Sequence, residues 1–285
     1  MTHITPPPLP TIILDPIVRL ALSEDLGRAG DLTTDATVPI GTQLTAHVRA
    51  RKSGTLAGMD TAAHALHLVD AKTKLTLKLN DGDALTPGAT IAVMEGDARS
   101  ILMAERTMLN FIGRLSGIAT LTSEFIEKIT HTNAKIVCTR KTTPGHRAVE
   151  KRAVRCGGGT SHRYGLDDAI LIKDNHIAAC GSIADALQRA HAYAGHLRMI
   201  EIEVDTLAQL KEALPHKPHA ILLDNMEPET LREAIDIVNG QCVTEASGGI
   251  TLDTVAAKAE TGVDYISVGA LTHSAINLDV GLDIL

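Results

Sequence analysis

Apolar positions recur first with helical and then with strand spacing. Residues 11–28 place Ile17, Leu20 and Leu22 on one side, with Glu24 and Asp25 beyond, and Gly30-Asp-Leu-Thr-Thr34 reads as a turn with capping residues. Strict alternation follows at 44–50 and 75–79. The turns Asn80-Asp-Gly82 and Thr86-Pro-Gly88 lead into a further strand at 90–94, with a helix at 59–69. This predicts an antiparallel sheet with helical cover. A long helix over about 99–129 repeats Leu102, Leu109, Ile112, Leu115 and Ile118 on one face, loosens near Gly113 and Gly117, and joins two domains.

From residue 135 the pattern changes to strand then helix. Apolar runs at 135–139, 169–172, 199–204, 220–223, 242–246 and 265–268 alternate with helical patterns at 182–193, 206–213, 228–238 and 251–261. Each run ends in polar or glycine residues: Arg140-Lys141, Lys173-Asp174, Glu203 with Asp205, Asp224-Asn225, Ser247-Gly248-Gly249 and Gly269. In a closed parallel barrel such ends meet at one mouth, where active sites are built. Six runs are fewer than eight, so the expectation is an incomplete barrel. Ser247-Gly-Gly249 and Gly269-Ala270 fall on the last two runs, where barrels commonly bind phosphate, and His273 is either a further phosphate contact or a surface histidine.

Charge sharpens the picture. The 285-residue chain carries a net −7, yet Lys135 to His176 holds nine Lys and Arg against four Asp and Glu. The cations are concentrated where the strands end. Four cysteines without Cys-x-x-Cys spacing read as reduced thiols. Five aromatic residues and no Trp leave no stacking platform for nucleic acid. No run reaches membrane-span length and the Pro-rich start lacks signal-peptide regions, so a cytoplasmic enzyme without membrane partners is expected. His64 and His67 read as a solvated helix face, not a metal site. Asp81–Gly88 resembles the turns of small lipoyl-like sandwiches but has no acceptor lysine motif, and reads as scaffold.

The motifs, in order, carry a resemblance. They are Glu24-Asp25 with Gly30-Asp-Leu-Thr-Thr34, Glu105-Arg106, Leu109-Asn-Phe111, Leu115-Ser-Gly-Ile-Ala-Thr120, Thr139-Arg-Lys-Thr-Thr-Pro-Gly145, Ala153-Val-Arg-Cys-Gly-Gly-Gly159, His162-Arg163, Leu171-Ile-Lys-Asp-Asn-His176, Ser247-Gly-Gly249 and Val268-Gly-Ala270. Together they resemble the quinolinate phosphoribosyltransferases, from about residue 17 onward. The resemblance implies an α/β open sandwich (1–115, joined by the tail 275–285) and an incomplete α/β barrel (116–274). It also implies a homodimer with shared active sites that can assemble further. The implied reaction joins quinolinate to phosphoribosyl pyrophosphate, releasing pyrophosphate and carbon dioxide and leaving nicotinate mononucleotide for NAD biosynthesis.

Quinolinate carries two adjacent carboxylates, which guanidinium groups grip by paired, charge-assisted hydrogen bonds. The resemblance places Arg140, His162, Arg163 and Lys173 around them, with Arg106 reaching in from the neighbouring subunit. It assigns Lys141 to the pyrophosphate and Glu203 and Asp224 to the ribose hydroxyls and a substrate-associated Mg2+, and Thr139, Ser247, Gly248, Gly249, Val268, Gly269 and Ala270 complete the expected substrate-binding set. Lys141, Lys173, Glu203 and Asp224 are the expected catalytic set, and no organic cofactor is expected. For Asp224 the plainer reading is a cap for the helix after Pro228, and for Glu203 an exposed barrel edge. Three other functions remain open. Lys173 at a strand end would also suit a Schiff-base aldolase, the related ModD-like group would use another heteroaromatic acid, and a non-catalytic binder would merely retain the site.

Overall fold

The computed structural model describes residues 6–284; residues 1–5 of the expected first domain and Leu285 of the tail lie outside them. In chain order the elements are α1 (Thr11–Leu26), α2 (Leu32–Thr37), β1 (Gln43–Ala50), β2 (Gly54–Thr55), α3 (Met59–Val69), β3 (Lys74–Leu77), β4 (Ala84–Leu85), β5 (Thr90–Asp97) and α4 (Ala98–Lys128). Next come β6 (Lys135–Val137), α5 (Arg147–Cys156), β7 (Ile170–Ile172), α6 (Asp174–Cys180), α7 (Ile183–Tyr193), β8 (Ile200–Val204) and α8 (Leu207–Ala213). The chain finishes with β9 (Ala220–Asp224), α9 (Pro228–Val238), β10 (Val243–Ser247), α10 (Val255–Ala259), β11 (Tyr265–Ser267), α11 (Ala270–His273) and β12 (Val280–Ile284). These pack as two units. One gathers the described residues of Met1–Ser123, Thr142–Gly158 and Leu271–Leu285, the other Glu124–Lys141 and Gly159–Ala270. Packing thus divides the chain differently from the sequence boundary at 115/116, and α4 begins in one unit and ends in the other.

The first unit is built on an antiparallel sheet in the order β12-β1-β5-β3. In β1, Ala46, Val48 and Ala50 are fully buried and alternate with half-buried residues, the period-two signature of a sheet covered on one face. Val18 of α1, Leu66 of α3 and Ile101, Met108 and Ile112 of α4 pack in the same core. Each such large side chain contributes about 1.5–3 kcal/mol through burial. Asp31 caps α2 as its Oδ1 accepts the Thr34 amide at 3.0 Å. Helix α4 runs unbroken over Gly113 and Gly117, so those glycines do not loosen it. They admit the tail: a Cβ on Gly117 would lie 2.1 Å from the Ile276 carbonyl oxygen, and the Leu278 amide donates to the Gly113 carbonyl at 2.9 Å.

Two sequence readings change in this unit. The sequence pattern assigns no element to residues 142–154, but Arg147–Cys156 is a helix whose Glu150, Lys151 and Arg152 are buried. Their charges are partnered, which a composition-based reading takes for a solvated stretch. Arg114 donates to Glu150 at 2.9 Å, Thr143 donates backbone and side-chain bonds to the same carboxylate, and Arg152 pairs with Asp81 and, at 3.3 Å, with Asp60. His64 is half-buried, its Nε2 3.1 Å from Asp15 Oδ1, and only His67 meets solvent. All four cysteines are free, and burial pushes the Cys156 thiol up to about 12, so it is inert at neutral pH. Among the described residues, no helix is long and apolar enough to cross a membrane.

The second unit holds a six-stranded parallel sheet in the order β6-β11-β10-β9-β8-β7. Sequence-consecutive strands β7 to β11 are neighbours, each linked by helix-bearing crossovers, while β6 closes against β11. In β8, Ile200, Ile202 and Val204 are fully buried and alternate with Glu201 and Glu203, which therefore share the opposite face. Beyond β7 the chain turns at once into α6, absent from the sequence reading, where the Lys173 amide donates to His176 Nδ1 at 3.0 Å.

Candidate functional site

The C-terminal ends of all six parallel strands line one cavity of about 530 Å³. Thr139, Arg140 and Lys141 follow β6, Lys173 follows β7, and Glu203 comes from β8. Asp224 ends β9 with Asn225 beyond it. Glu245 and Ser247 come from β10 with Gly248 and Gly249 after them, and Ser267 ends β11. His162 and Arg163 enter from the segment that Thr160 ties to Val137. Since both edge strands contribute, the sheet must curl around the cavity as an incomplete barrel.

Its electrostatics separate two regions. In one, Arg163 donates from Nη1 to the Ala169 carbonyl at 3.2 Å, while burial first and then nearby Arg140 hold its guanidinium below its ordinary pKa. The Nε atoms of Arg140 and Arg163 are buried with no hydrogen-bond partner among the described residues. Two neighbouring guanidinium groups with unspent donors suit a ligand bearing more than one negative charge. In the other region Lys173 donates to Glu203, and Asn225 Nδ2 donates to Asp224 Oδ2 at 2.6 Å. Glu203 and Asp224 stand on adjacent strands and offer hard carboxylate oxygens, the donor chemistry that fits magnesium. Neither plainer reading holds: the Glu203 side chain is only 12% exposed, and the cap position of α9 is Glu227.

Two glutamates went unnoticed in the sequence. His162 Nε2 lies 3.1 Å from Glu201 Oε2 and 3.5 Å from Glu245 Oε2, and its Nδ1 accepts the Arg163 amide at 2.8 Å. The alternation Ile200-Glu-Ile-Glu-Val204 carried the signal for Glu201, while Glu245 stands inside a strand that reads as an ordinary buried run.

Other expected residues lie apart from this lining. Val268 is buried and its amide donates to the Val137 carbonyl at 2.9 Å, which joins β6 to β11; Gly269 and Ala270 follow it outside the cavity wall. His273 groups with the first unit and its Nδ1 is 2.6 Å from Ser274 Oγ. Arg106 is exposed on α4. A separate cavity of about 540 Å³ in the first unit gathers the motif residues Glu24, Asp25, Asn110 and Phe111 around Arg114 and Glu150.

Gly248 shows how tightly the β10 turn is fitted. It has φ +86°, and a Cβ there would lie 2.0 Å from Asn225 Oδ1 and 2.9 Å from the Asn225 amide nitrogen. Gly248→Ala is therefore expected to displace Asn225 from Asp224 and cost at least tenfold in turnover, since strain of about 1–3 kcal/mol must be relieved within the site. Wild-type rates in that variant would show that the turn tolerates the shift.

Comparison with known families follows this architecture closely. Residues 31–116 match the quinolinate phosphoribosyl transferase N-terminal domain and residues 118–283 the C-terminal domain. The chain belongs to the quinolinate phosphoribosyltransferase family. Members of this family include the nicotinate-nucleotide pyrophosphorylase [carboxylating] of Mycobacterium leprae (strain TN), 46% identical over 272 residues that cover 94% of this chain and 95% of the relative. The probable nicotinate-nucleotide pyrophosphorylase [carboxylating] of Bacillus subtilis (strain 168) is 46% identical over 262 residues, covering 92% and 90%. Among solved structures, the nicotinate-nucleotide pyrophosphorylase of Francisella tularensis superposes with a TM-score of 0.93 at 39% identity, covering 97% of this chain and 98% of that one.

Proposed function

We propose that this protein transfers the phosphoribosyl group of phosphoribosyl pyrophosphate to quinolinate with loss of carbon dioxide, forming nicotinate mononucleotide in NAD biosynthesis. The observation that carries this reading is the single cavity of a family member in which unspent Arg140 and Arg163 donors stand with a Glu203–Asp224 carboxylate pair. The guanidinium groups grip the two adjacent carboxylates of quinolinate and orient its ring nitrogen. Lys141, exposed at the rim, meets the pyrophosphate, and Ser247, Gly248 and Gly249 receive phosphate oxygens. Glu203 and Asp224 face the ribose, where positive charge develops as the anomeric bond breaks, and fixed negative charge favours that state. Magnesium held by the same carboxylates would supply charge neutralisation for the departing pyrophosphate. Ring-nitrogen attack from the opposite side inverts the anomeric carbon, and the electron pair left on the ring carbon as carbon dioxide departs is stabilised by the adjacent pyridinium and takes up a proton from water. No organic cofactor is needed. Lys173 Nζ is engaged by Glu203, whereas a Schiff base requires that nitrogen free to attack a carbonyl carbon.

The test is direct detection of nicotinate mononucleotide and carbon dioxide from quinolinate, phosphoribosyl pyrophosphate and magnesium, with other pyridine acids compared. Chelation is expected to stop turnover and leave the thermal midpoint in place, because the ion arrives with substrate. Absence of the mononucleotide under saturating conditions would overturn the reading.

The working unit is a cytoplasmic homodimer in which Arg106, exposed on α4, completes the partner's site. Mixing inactive Arg106→Ala with inactive Lys141→Ala should then restore about a quarter of the wild-type rate per subunit. About half of the dimers are mixed after random exchange, and one site in each is intact in an isologous pair. Verified exchange without recovery would place Arg106 in its own chain's service.

A further inference from the structure

His162 is the hub of a buried cluster whose two other members, Glu201 and Glu245, the reaction as described does not use. Its side chain is 14% exposed, Glu201 lies at 3.1 Å and Glu245 at 3.5 Å from the same Nε2, and Glu245 is 5% exposed with Oε1 lacking any hydrogen-bond partner among the described residues. The ring's tautomer follows from its other nitrogen. Nδ1 accepts the Arg163 amide, so the ring proton is on Nε2 and the imidazole is neutral. One N–H cannot compensate two carboxylates, and a second buried negative charge beside Glu201 would also oppose any anion brought to Arg140 and Arg163.

We infer that Glu245 is a positioning residue of the dicarboxylate pocket: as a protonated carboxyl it stands beside the Glu201–His162 pair, lets the imidazole hold the Arg163 backbone, and leaves the cations free for a dianionic ligand. This rests on reading the cavity as the seat of quinolinate. The charged and titratable groups facing Glu245 are Glu201 on β8, His162, and Lys173 beyond β7, and Ser267 of β11 hydrogen-bonds to it. Burial above all, then the Glu201 charge, pushes its carboxyl up to about 7. The three donor atoms lie within 4.8 Å of one another, a spacing that would also accept a metal ion. Arg140, Arg163 and Lys173 on the same cavity oppose a further cation there.

The sign of the pH effect follows. Below about 7 Glu245 is neutral; above it the new carboxylate repels quinolinate, and a bound dianion raises the carboxyl's pKa further. For the wild type, KM for quinolinate should rise about tenfold from pH 6.5 to 8.5 with KM for phosphoribosyl pyrophosphate following a different course. In Glu245→Gln, which cannot ionise, that quinolinate ratio should fall to near one. Should the variant fold poorly, calorimetry of quinolinate binding to the wild type at pH 7.5 in buffers of different ionisation enthalpy gives an independent reading, with net proton uptake expected. An active wild type whose Gln variant keeps the tenfold ratio, or whose binding takes up no proton, overturns the role of Glu245 alone. A wild type that makes no mononucleotide overturns the functional reading instead.

Discussion

Arg163→Ala is expected to lower kcat/KM for quinolinate by about 10²–10³, with most of the loss in KM. The guanidinium spends one donor on the Ala169 carbonyl, and its Nε is buried beside Arg140 without a partner among the described residues. Two like charges held together without ligand are poised to gain when a dianion arrives, and a paired, charge-assisted contact of this kind contributes about 3–4 kcal/mol. Arg163→Lys should recover little, since a single ammonium cannot reproduce the planar fork. The thermal midpoint should stay level or rise, because the variant relieves repulsion with Arg140. The decisive measurement is steady-state kinetics with each substrate varied separately. A variant with near-normal KM for quinolinate would remove Arg163 from the dicarboxylate pocket.

The largest stability effect is expected in the first unit, at Asp81. Its carboxylate accepts from Arg152 and, at 3.0 Å, from the Met59 amide at the start of α3, while Arg152 also donates to the Pro7 carbonyl at 3.1 Å. Both partners are buried. Asp81→Ala leaves a buried guanidinium with only Asp60 as counter-charge and an unmet helix amide, a loss of about 3–5 kcal/mol. A drop in thermal midpoint of roughly 6–15 °C should follow. Adding Arg152→Met should return part of it, because removing the stranded charge removes its desolvation cost. If calorimetry finds the double variant less stable than Asp81→Ala, Arg152 stabilises the fold by its packing and backbone contacts, not through its pairing with Asp81.

The strand–helix alternation after residue 135 was legible because parallel strands buried on both faces leave short apolar runs, and the cations at their ends were legible for the same reason. Helix α5 was not. Its sequence Arg-Ala-Val-Glu-Lys-Arg-Ala-Val-Arg-Cys looks solvated, and partners distant along the chain, Arg114, Asp81 and Asp60 among them, make burial of those charges acceptable. Glu201 and Glu245 escaped notice on similar grounds: nothing along the chain pairs either acid with a partner until β8, β10 and His162 are brought together. Arg106 shows the converse, since a motif can mark a residue whose surroundings within one chain do not explain it.

The tail strand bears on how the protein is made. β12 pairs with β1 from Ala46 opposite Ile284 to Ala50 opposite Val280, so the edge of the first sheet is supplied by residues synthesised after the whole barrel segment. Until the ribosome has delivered them, β1 offers an unpaired, hydrogen-bonding margin able to template association with another nascent chain. The barrel segment can form its own sheet as it emerges, whereas the unit that begins the polypeptide closes last. Deleting residues 280–284 should therefore be felt first in yield and aggregation during expression, before any defect in chemistry is measured.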